Sequence, residues 1–147
     1  MAVTADQLVK AREPGRLREF IVKSGTTVYA GTMVFVELAT GHIYNTATGG
    51  TSVFVGVAKT GLLGDGVKTI DVYTSGAFTL TGTTLAAADV GKPCKATDNY
   101  TFDTVANVAT GATASVMIGY MTKYIDSTTG EVEIAPSSML QYIDQLV

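Results

Sequence analysis

The feature that most constrains this chain is a succession of short β-branched runs separated by turn-forming residues. Typical runs are "TMVFVE" at 32–37, "TSVFVGVA" at 51–58 and "TIDVYT" at 69–74. Apolar and polar residues that alternate within such runs predict strands. The chain also has 23 threonines, 17 valines and 16 glycines but no tryptophan, which is typical of a pleated, turn-rich domain. We predict a mainly β fold.

The pattern predicts eleven strands, and glycine, asparagine or aspartate in the connections predicts turns. The predicted strands are 19–23, 26–29, 32–39, 42–45, 51–59, 67–74, 76–80, 92–97, 100–104, 114–125 and 131–135. Asp98 and Asn99 suit the two central positions of a tight hairpin, because both tolerate a positive φ. The segment "LAAAD" at 85–89 is long enough for one helical turn.

Both ends of the chain carry helix signals. Thr4 and Gln7 have the spacing of a capping box, which predicts a short helix that ends at Pro14-Gly15. Pro136 and the apolar spacing after Ser138 predict a second short amphipathic helix. We therefore divide the chain into an N-terminal arm (1–19), a β domain (20–135) and a C-terminal helix of that domain (136–147).

Charge is scarce and unevenly distributed. Charged residues make up 16% of the chain and apolar residues 46%, which predicts that part of the surface is covered by other subunits. Residues 1–23 hold five basic and three acidic side chains, whereas the rest holds five basic and ten acidic ones. The acidic body disfavours nucleic-acid binding, and no apolar run is long enough to span a membrane. All three arginines, Arg12, Arg16 and Arg18, lie in the basic arm.

The residues of the chain offer little for catalysis or for cofactor and metal binding. "GLLGDGVKTI" at 61–70 resembles a phosphate loop, but its lysine is displaced by one position and a strand pattern follows, so we interpret it as a turn. His42 and Cys94 are the only histidine and cysteine, and neither has a chemical partner in the sequence. Glu131 and Glu133 share one strand face, where they bind a cation or a basic partner or, more simply, are solvated. We predict no enzyme activity, cofactor or metal.

Five segments resemble a known family in their order and spacing. They are "GTTVYAGTMVFVE", "FVGVAKT", "VYTSGAFTL", "ADVGKPCKATDNYTFDT" and "VMIGYMTKYID…EVEIA". Together they resemble the small capsid cement, or head decoration, proteins of tailed bacteriophages, over residues 24–135. Cys94 stands where such sequences commonly carry valine, which implies a small buried hydrophobe. The arginine-bearing arm and the final helix lie outside the common pattern.

The resemblance implies a barrel-like or tulip-like β domain with a non-enzymatic role in the virion. Such proteins bind major capsid proteins on the outer surface of the expanded head, often as trimers, after synthesis in the host cytoplasm. A homotrimer is favoured here, and a dimer is the alternative. Arg12, Arg16 and Arg18 are predicted to contact the capsid or a neighbouring subunit, unless the arm is a solvated, disordered tail.

Three other interpretations remain at this stage. The chain is compatible with a different virion β protein, such as a tail-tube or head-fibre subunit. It is also compatible with a monomeric β domain with frayed ends. A third class, an enzyme or small-ligand module, has no residues that identify it.

Overall fold

The computed structural model describes residues 2–9, 11–48, 51–105 and 116–135, with the backbone alone for 11–14. The described residues form thirteen strands and one 3₁₀ turn at Ala87–Asp89. The strands are β1 (Ala11–Pro14), β2 (Leu17–Ile21), β3 (Thr27–Val28), β4 (Met33–Glu37), β5 (Ile43–Tyr44), β6 (Ser52–Ala58), β7 (Leu62–Leu63), β8 (Thr69–Tyr73), β9 (Gly76–Gly82), β10 (Pro93–Ala96), β11 (Thr101–Thr104), β12 (Val116–Asp126) and β13 (Thr129–Ile134).

Five strands close into a barrel in the order β9-β11-β10-β12-β13, because β13 pairs back onto β9. All neighbouring pairs are antiparallel except β11 with β9. Side chains alternate between the interior and the outside, as in β13, where Val132 and Ile134 are buried and Glu131 and Glu133 are half-buried. The prediction of a mainly β fold with a barrel is confirmed.

A second sheet has the order β2-β8-β6-β4-β5 and curls until its two ends meet. The ends are joined by a bridge between Val22 and Ile43, and the Lys23 N–H donates to the Ile43 carbonyl at 2.9 Å. A two-stranded sheet of β3 and β7 lies beside it. The inner face of the curled sheet encloses a small core made of Val22, Val28, Val34, Ile43, Ala58, Ile70 and Val72.

The outer face of the curled sheet packs against the barrel and shares its larger core. From the barrel this core takes, among others, Phe78, Leu80, Cys94, Phe102, Ile118, Met121, Val132 and Ile134, and from the sheet Met33, Phe35, Tyr44, Phe54 and Val57. The rings of Tyr73 and Phe78 meet at a centroid distance of 5.6 Å across the boundary. Burial on both faces explains why the middle strands of the curled sheet are nearly continuous apolar runs.

The N-terminal segment forms a strand, β1, where a helix was predicted, and β2 begins two residues before the strand predicted at 19–23. β1 pairs with the start of β9, and β2 pairs with β8, so residues 11–21 run antiparallel to residues 69–78 across both sheets. The predicted helix from Thr4 is therefore wrong: residues 2–9 have no regular structure, and the next residues take partners in β8 and β9. At the crossing point Gly15 lies against Ser75 so closely that a Cβ would overlap its side chain and carbonyl.

The turns largely agree with the sequence predictions. The hairpin of β10 and β11 forms, but neither Asp98 nor Asn99 has a positive φ. Instead Asp98 Oδ1 accepts the N–H groups of Tyr100 and Thr101, each at 2.8 Å, which makes a wider turn. "LAAAD" contains the predicted helical turn, and "GLLGDG" connects β6 to β8 but also contains the short strand β7. The predicted C-terminal helix, 136–147, lies outside the described residues.

An ion pair crosses the point where the curled sheet closes. Lys23 Nζ lies 2.5 Å from Glu37 Oε2 and 5.4 Å from the centre of the Tyr44 ring. The hydrogen bond from Lys23 is the largest influence on the pKa of Glu37 and lowers it below the ordinary 4.5, with a smaller contribution from Thr40. Because the folded-state pKa is lowered, the stabilisation is present above about pH 4.5 and is lost as the pH falls further.

Replacing Glu37 with glutamine should therefore flatten the acid side of the stability profile. We expect the urea midpoint of the parent protein to fall more steeply than that of Glu37→Gln between about pH 6 and pH 3. Glu19→Gln, on the same sheet but outside any described ion pair, controls for the loss of one carboxylate. Equal acid sensitivity in the parent and in Glu37→Gln would show that the Lys23 pair contributes nothing.

Candidate functional site

The outer edge of β2 leaves main-chain groups of the curled sheet open. β2 is the last strand of that sheet, and no described strand pairs with its second edge before the bridge of Val22 with Ile43, which covers the edge at Ile21. The Arg16 carbonyl accepts the Thr74 N–H at 2.8 Å, and the Val22 N–H donates to the Lys68 carbonyl at 3.0 Å. The main-chain groups of Arg16 and Val22 therefore point toward β8. In an antiparallel strand, the N–H and C=O groups of successive residues point alternately to the two sides of the strand.

This alternation assigns the direction of every residue between those two. Arg18 and Phe20 direct their N–H and C=O groups toward β8, as Arg16 and Val22 do. Leu17, Glu19 and Ile21 direct theirs away from it. The edge therefore presents a ladder of main-chain donors and acceptors to any extended chain that lies beside it.

The side chains of the edge are also exposed. Leu17 is 41% exposed and Ile21 is 36% exposed, although both are large aliphatic residues. Glu19 lies between them and accepts a hydrogen bond from the Thr69 hydroxyl at 2.8 Å. An exposed, partly apolar edge that has no proline and that no described element covers is a surface that a partner strand can occupy.

Two of the three predicted arginines flank this edge. Arg16 and Arg18 are exposed, and within the described residues neither guanidinium forms an ion pair or a hydrogen bond. Their spacing of two places them on one face of the strand. Arg12 lies in β1, but its side chain is outside the described part of the chain. The structure thus brings the two described arginines together, beside an open edge that the sequence did not reveal.

His42 and Cys94 do not form a site with each other. His42 lies in the turn between β4 and β5, whereas Cys94 lies inside the barrel and is fully buried. Burial raises the pKa of the Cys94 thiol to about 12, with smaller contributions from Asp89 and Asp103. A thiol that stays protonated is a poor nucleophile and metal ligand. The expectation of a small buried hydrophobe at position 94 is confirmed.

We expect Cys94 to be chemically silent in the folded protein. It should react with a thiol reagent at pH 8 only after denaturation, because the native thiol is both inaccessible and protonated. Cys94→Ala should lower the free energy of unfolding by about 1–2 kcal/mol, and Cys94→Val by less, since valine keeps the volume. The double replacement with His42→Ala should leave partner binding unchanged. Rapid labelling of native protein would contradict this interpretation of Cys94.

The paired glutamates of β13 are engaged by the neighbouring strand. The Tyr120 hydroxyl donates to Glu133, and this hydrogen bond raises the pKa of the tyrosine. The Thr122 hydroxyl lies 3.0 Å from Glu131 Oε1. Both carboxylates therefore support the outer face of the barrel as cross-strand acceptors. Glu131 and Glu133 therefore resemble solvated residues of an outer strand face more than the ligands of a cation.

The rest of the described surface was compared with the requirements of other functions. In the described ranges, no group of three or more His, Cys, Asp or Glu side chains is placed to hold a metal ion. No helix among the described residues is long and apolar enough to cross a membrane. Comparison of the chain with protein-family models, curated proteins and solved structures finds no match.

Proposed function

We propose that the protein is a structural component of a phage virion that binds the outer surface of the expanded head. It stabilises the capsid by clamping neighbouring major capsid subunits, and it acts without a cofactor, nucleic acid or membrane. The observation that carries the proposal is the open edge of β2 with two exposed arginines that have no ion-pair partner among the described residues. The sequence resemblance to head decoration proteins supplies the identity of the partner.

The edge suits a partner that offers an extended, acidic segment. A strand that pairs with Leu17 and Glu19 gains main-chain hydrogen bonds whatever its sequence. Arg16 and Arg18 then select carboxylates, because a guanidinium binds a carboxylate through two parallel hydrogen bonds. Exposed pairs contribute only about 0–1 kcal/mol each, and more when they are partly desolvated.

Oligomerisation multiplies such modest contacts. The low charge content supports self-association, and we propose a homotrimer, with a dimer as the alternative. Several weak contacts on one oligomer engage the capsid together, so the overall attachment exceeds that of any single edge. Clamping across subunit boundaries then opposes the outward pressure of packaged DNA.

The test is binding to capsids that lack the protein. Purified protein is incubated with expanded and with unexpanded heads, and bound protein is measured after sedimentation. Saturable binding to expanded heads at a defined number of copies is the expected result. If the protein forms rings or tubes by itself and does not bind heads, the result supports the alternative function of a tail-tube subunit. A monomer in light scattering that binds neither form of head would overturn the proposal.

A further inference from the structure

Residues 2–9, here called the strap, run without regular secondary structure over the boundary between the barrel and the curled sheet. The Gln7 N–H donates to the Ala30 carbonyl at 2.6 Å, and the Ala30 N–H donates to Asp6 Oδ1 at 2.8 Å. Gly31 follows, and a Cβ there would overlap the Gln7 carbonyl. One end of the strap is therefore held through the main chain of residues 30 and 31.

The buried side chain of Asn99 binds the other end of the strap. Asn99 is 2% exposed, its Oδ1 accepts the Val3 N–H at 3.0 Å, and its Nδ2 donates to the Val3 carbonyl at 3.1 Å. The Asn99 carbonyl in turn accepts the Met33 N–H at 2.7 Å. Asn99 thus binds the strap as a neighbouring strand would, and its own position is fixed by contacts that do not involve the strap.

The strap contributes little to either core. Leu8 is 80% exposed, and Val9 is the one strap residue that packs against the barrel core. Cavities of about 340 and 370 Å³ border the strap, one beside Asp6 and one beside Val3. The strap is attached mainly by hydrogen bonds in an incompletely filled groove, so it can leave without opening the cores.

We propose that the groove formed by Ala30, Gly31 and Asn99 also accepts the strap of a second copy of this chain, so that straps are exchanged between copies. A departing strap leaves the carboxamide of Asn99 without its two main-chain partners on Val3, and another extended chain in the groove restores both hydrogen bonds. The strap of a second copy has the same sequence and forms the same hydrogen bonds with the groove. The free-energy difference between the exchanged and the unexchanged state is therefore small. This proposal does not depend on the proposed role in the virion.

The experiment uses two full-length variants that differ in the position of one added thiol. Gln7→Cys marks the strap, and Ala30→Cys marks the groove. The two proteins are mixed, incubated, and treated with a short bismaleimide, and two-chain products are measured on a denaturing gel. Cys94 does not compete, because it is fully buried and its thiol pKa is about 12. A matched control replaces Gln7→Cys with Thr83→Cys, an exposed position in the turn after β9.

The expected result is a yield of mixed two-chain product several-fold above that of the Thr83→Cys control. Asn99→Ala in both chains should speed the appearance of this product, because a strap that has lost both bonds to Asn99 leaves its groove more often. The proposal is overturned if the strap thiol cross-links no better than the control, or if Asn99→Ala leaves the rate of product formation unchanged.

Discussion

Replacing Gly119 with alanine should lower the free energy of unfolding by about 3–5 kcal/mol, a large effect for a single methyl group. Gly119 lies in β12 between Cys94 of β10 and Ile134 of β13, with φ at +151°. A Cβ there would overlap the carbonyl oxygen of Glu133. β13 cannot shift away from Gly119 to make room for a Cβ, because its other edge is hydrogen-bonded to β9, and this pairing closes the barrel.

Gly41→Ala is the matched control for this substitution. Gly41 also has a positive φ, +73°, but a Cβ there meets nothing within 4 Å. Gly41→Ala should therefore lower the free energy of unfolding only by the backbone strain of a left-handed residue, about 1–2 kcal/mol. Urea unfolding of both variants separates the two effects. Similar losses for the two variants would show that the close approach to Glu133 is not what requires glycine at position 119.

The second large effect concerns capsid attachment. We expect Arg16→Glu with Arg18→Glu to weaken binding to expanded heads at least about tenfold at low salt, and by less as salt rises, because the lost attraction is electrostatic. Both side chains are exposed, so urea unfolding should change little. Binding isotherms at several salt concentrations measure the effect. Unchanged affinity at every salt concentration would exclude the arginines from the contact.

A proline substitution tests the main-chain part of the same contact. The Glu19 N–H points away from β8, so Glu19→Pro removes a donor from the open edge and leaves the β2–β8 ladder in place. It should weaken head binding more than Glu19→Ala, which removes the same carboxylate. Arg18→Pro, by contrast, removes an N–H that points toward β8 and should destabilise the fold by about 3 kcal/mol. Truncation is a poorer test, since deleting residues 1–19 removes β1 and part of β2.

Elements that depend on local sequence were predictable. The strands β2 to β6 and β8 to β13 follow from alternation and turn residues, and the alternation also placed Glu131 and Glu133 together on one face. β7 was missed because it is a two-residue strand within a glycine-rich connection, and its existence depends on pairing with β3. Short pairings of this kind leave no periodic signal.

Elements that depend on distant partners were not predictable. Thr4 and Gln7 have helix-capping spacing, but the segment that follows them is stabilised by strands more than fifty residues away along the chain. The arginines were identified as contact residues from composition alone, whereas the open edge beside them depends on the sheet order. The hydrogen bonds between Val3 and Asn99 join residues 96 positions apart, and no local sequence pattern predicts them.

The run of residues 11–21 against 69–78 has a consequence for how the protein folds. Because this one pairing joins β8 of one sheet and β9 of the other, and the larger core takes side chains from both sheets, we expect a single cooperative unfolding transition in place of two. The pairing also joins segments far apart in sequence, and the entropy of closing that loop must be overcome before its contacts form. Folding should accordingly be slow, on the order of milliseconds to seconds. In a chain emerging from the ribosome, β4, β5 and β6 can pair early, whereas β1 and β2 gain their partners only after β8 and β9 have been made.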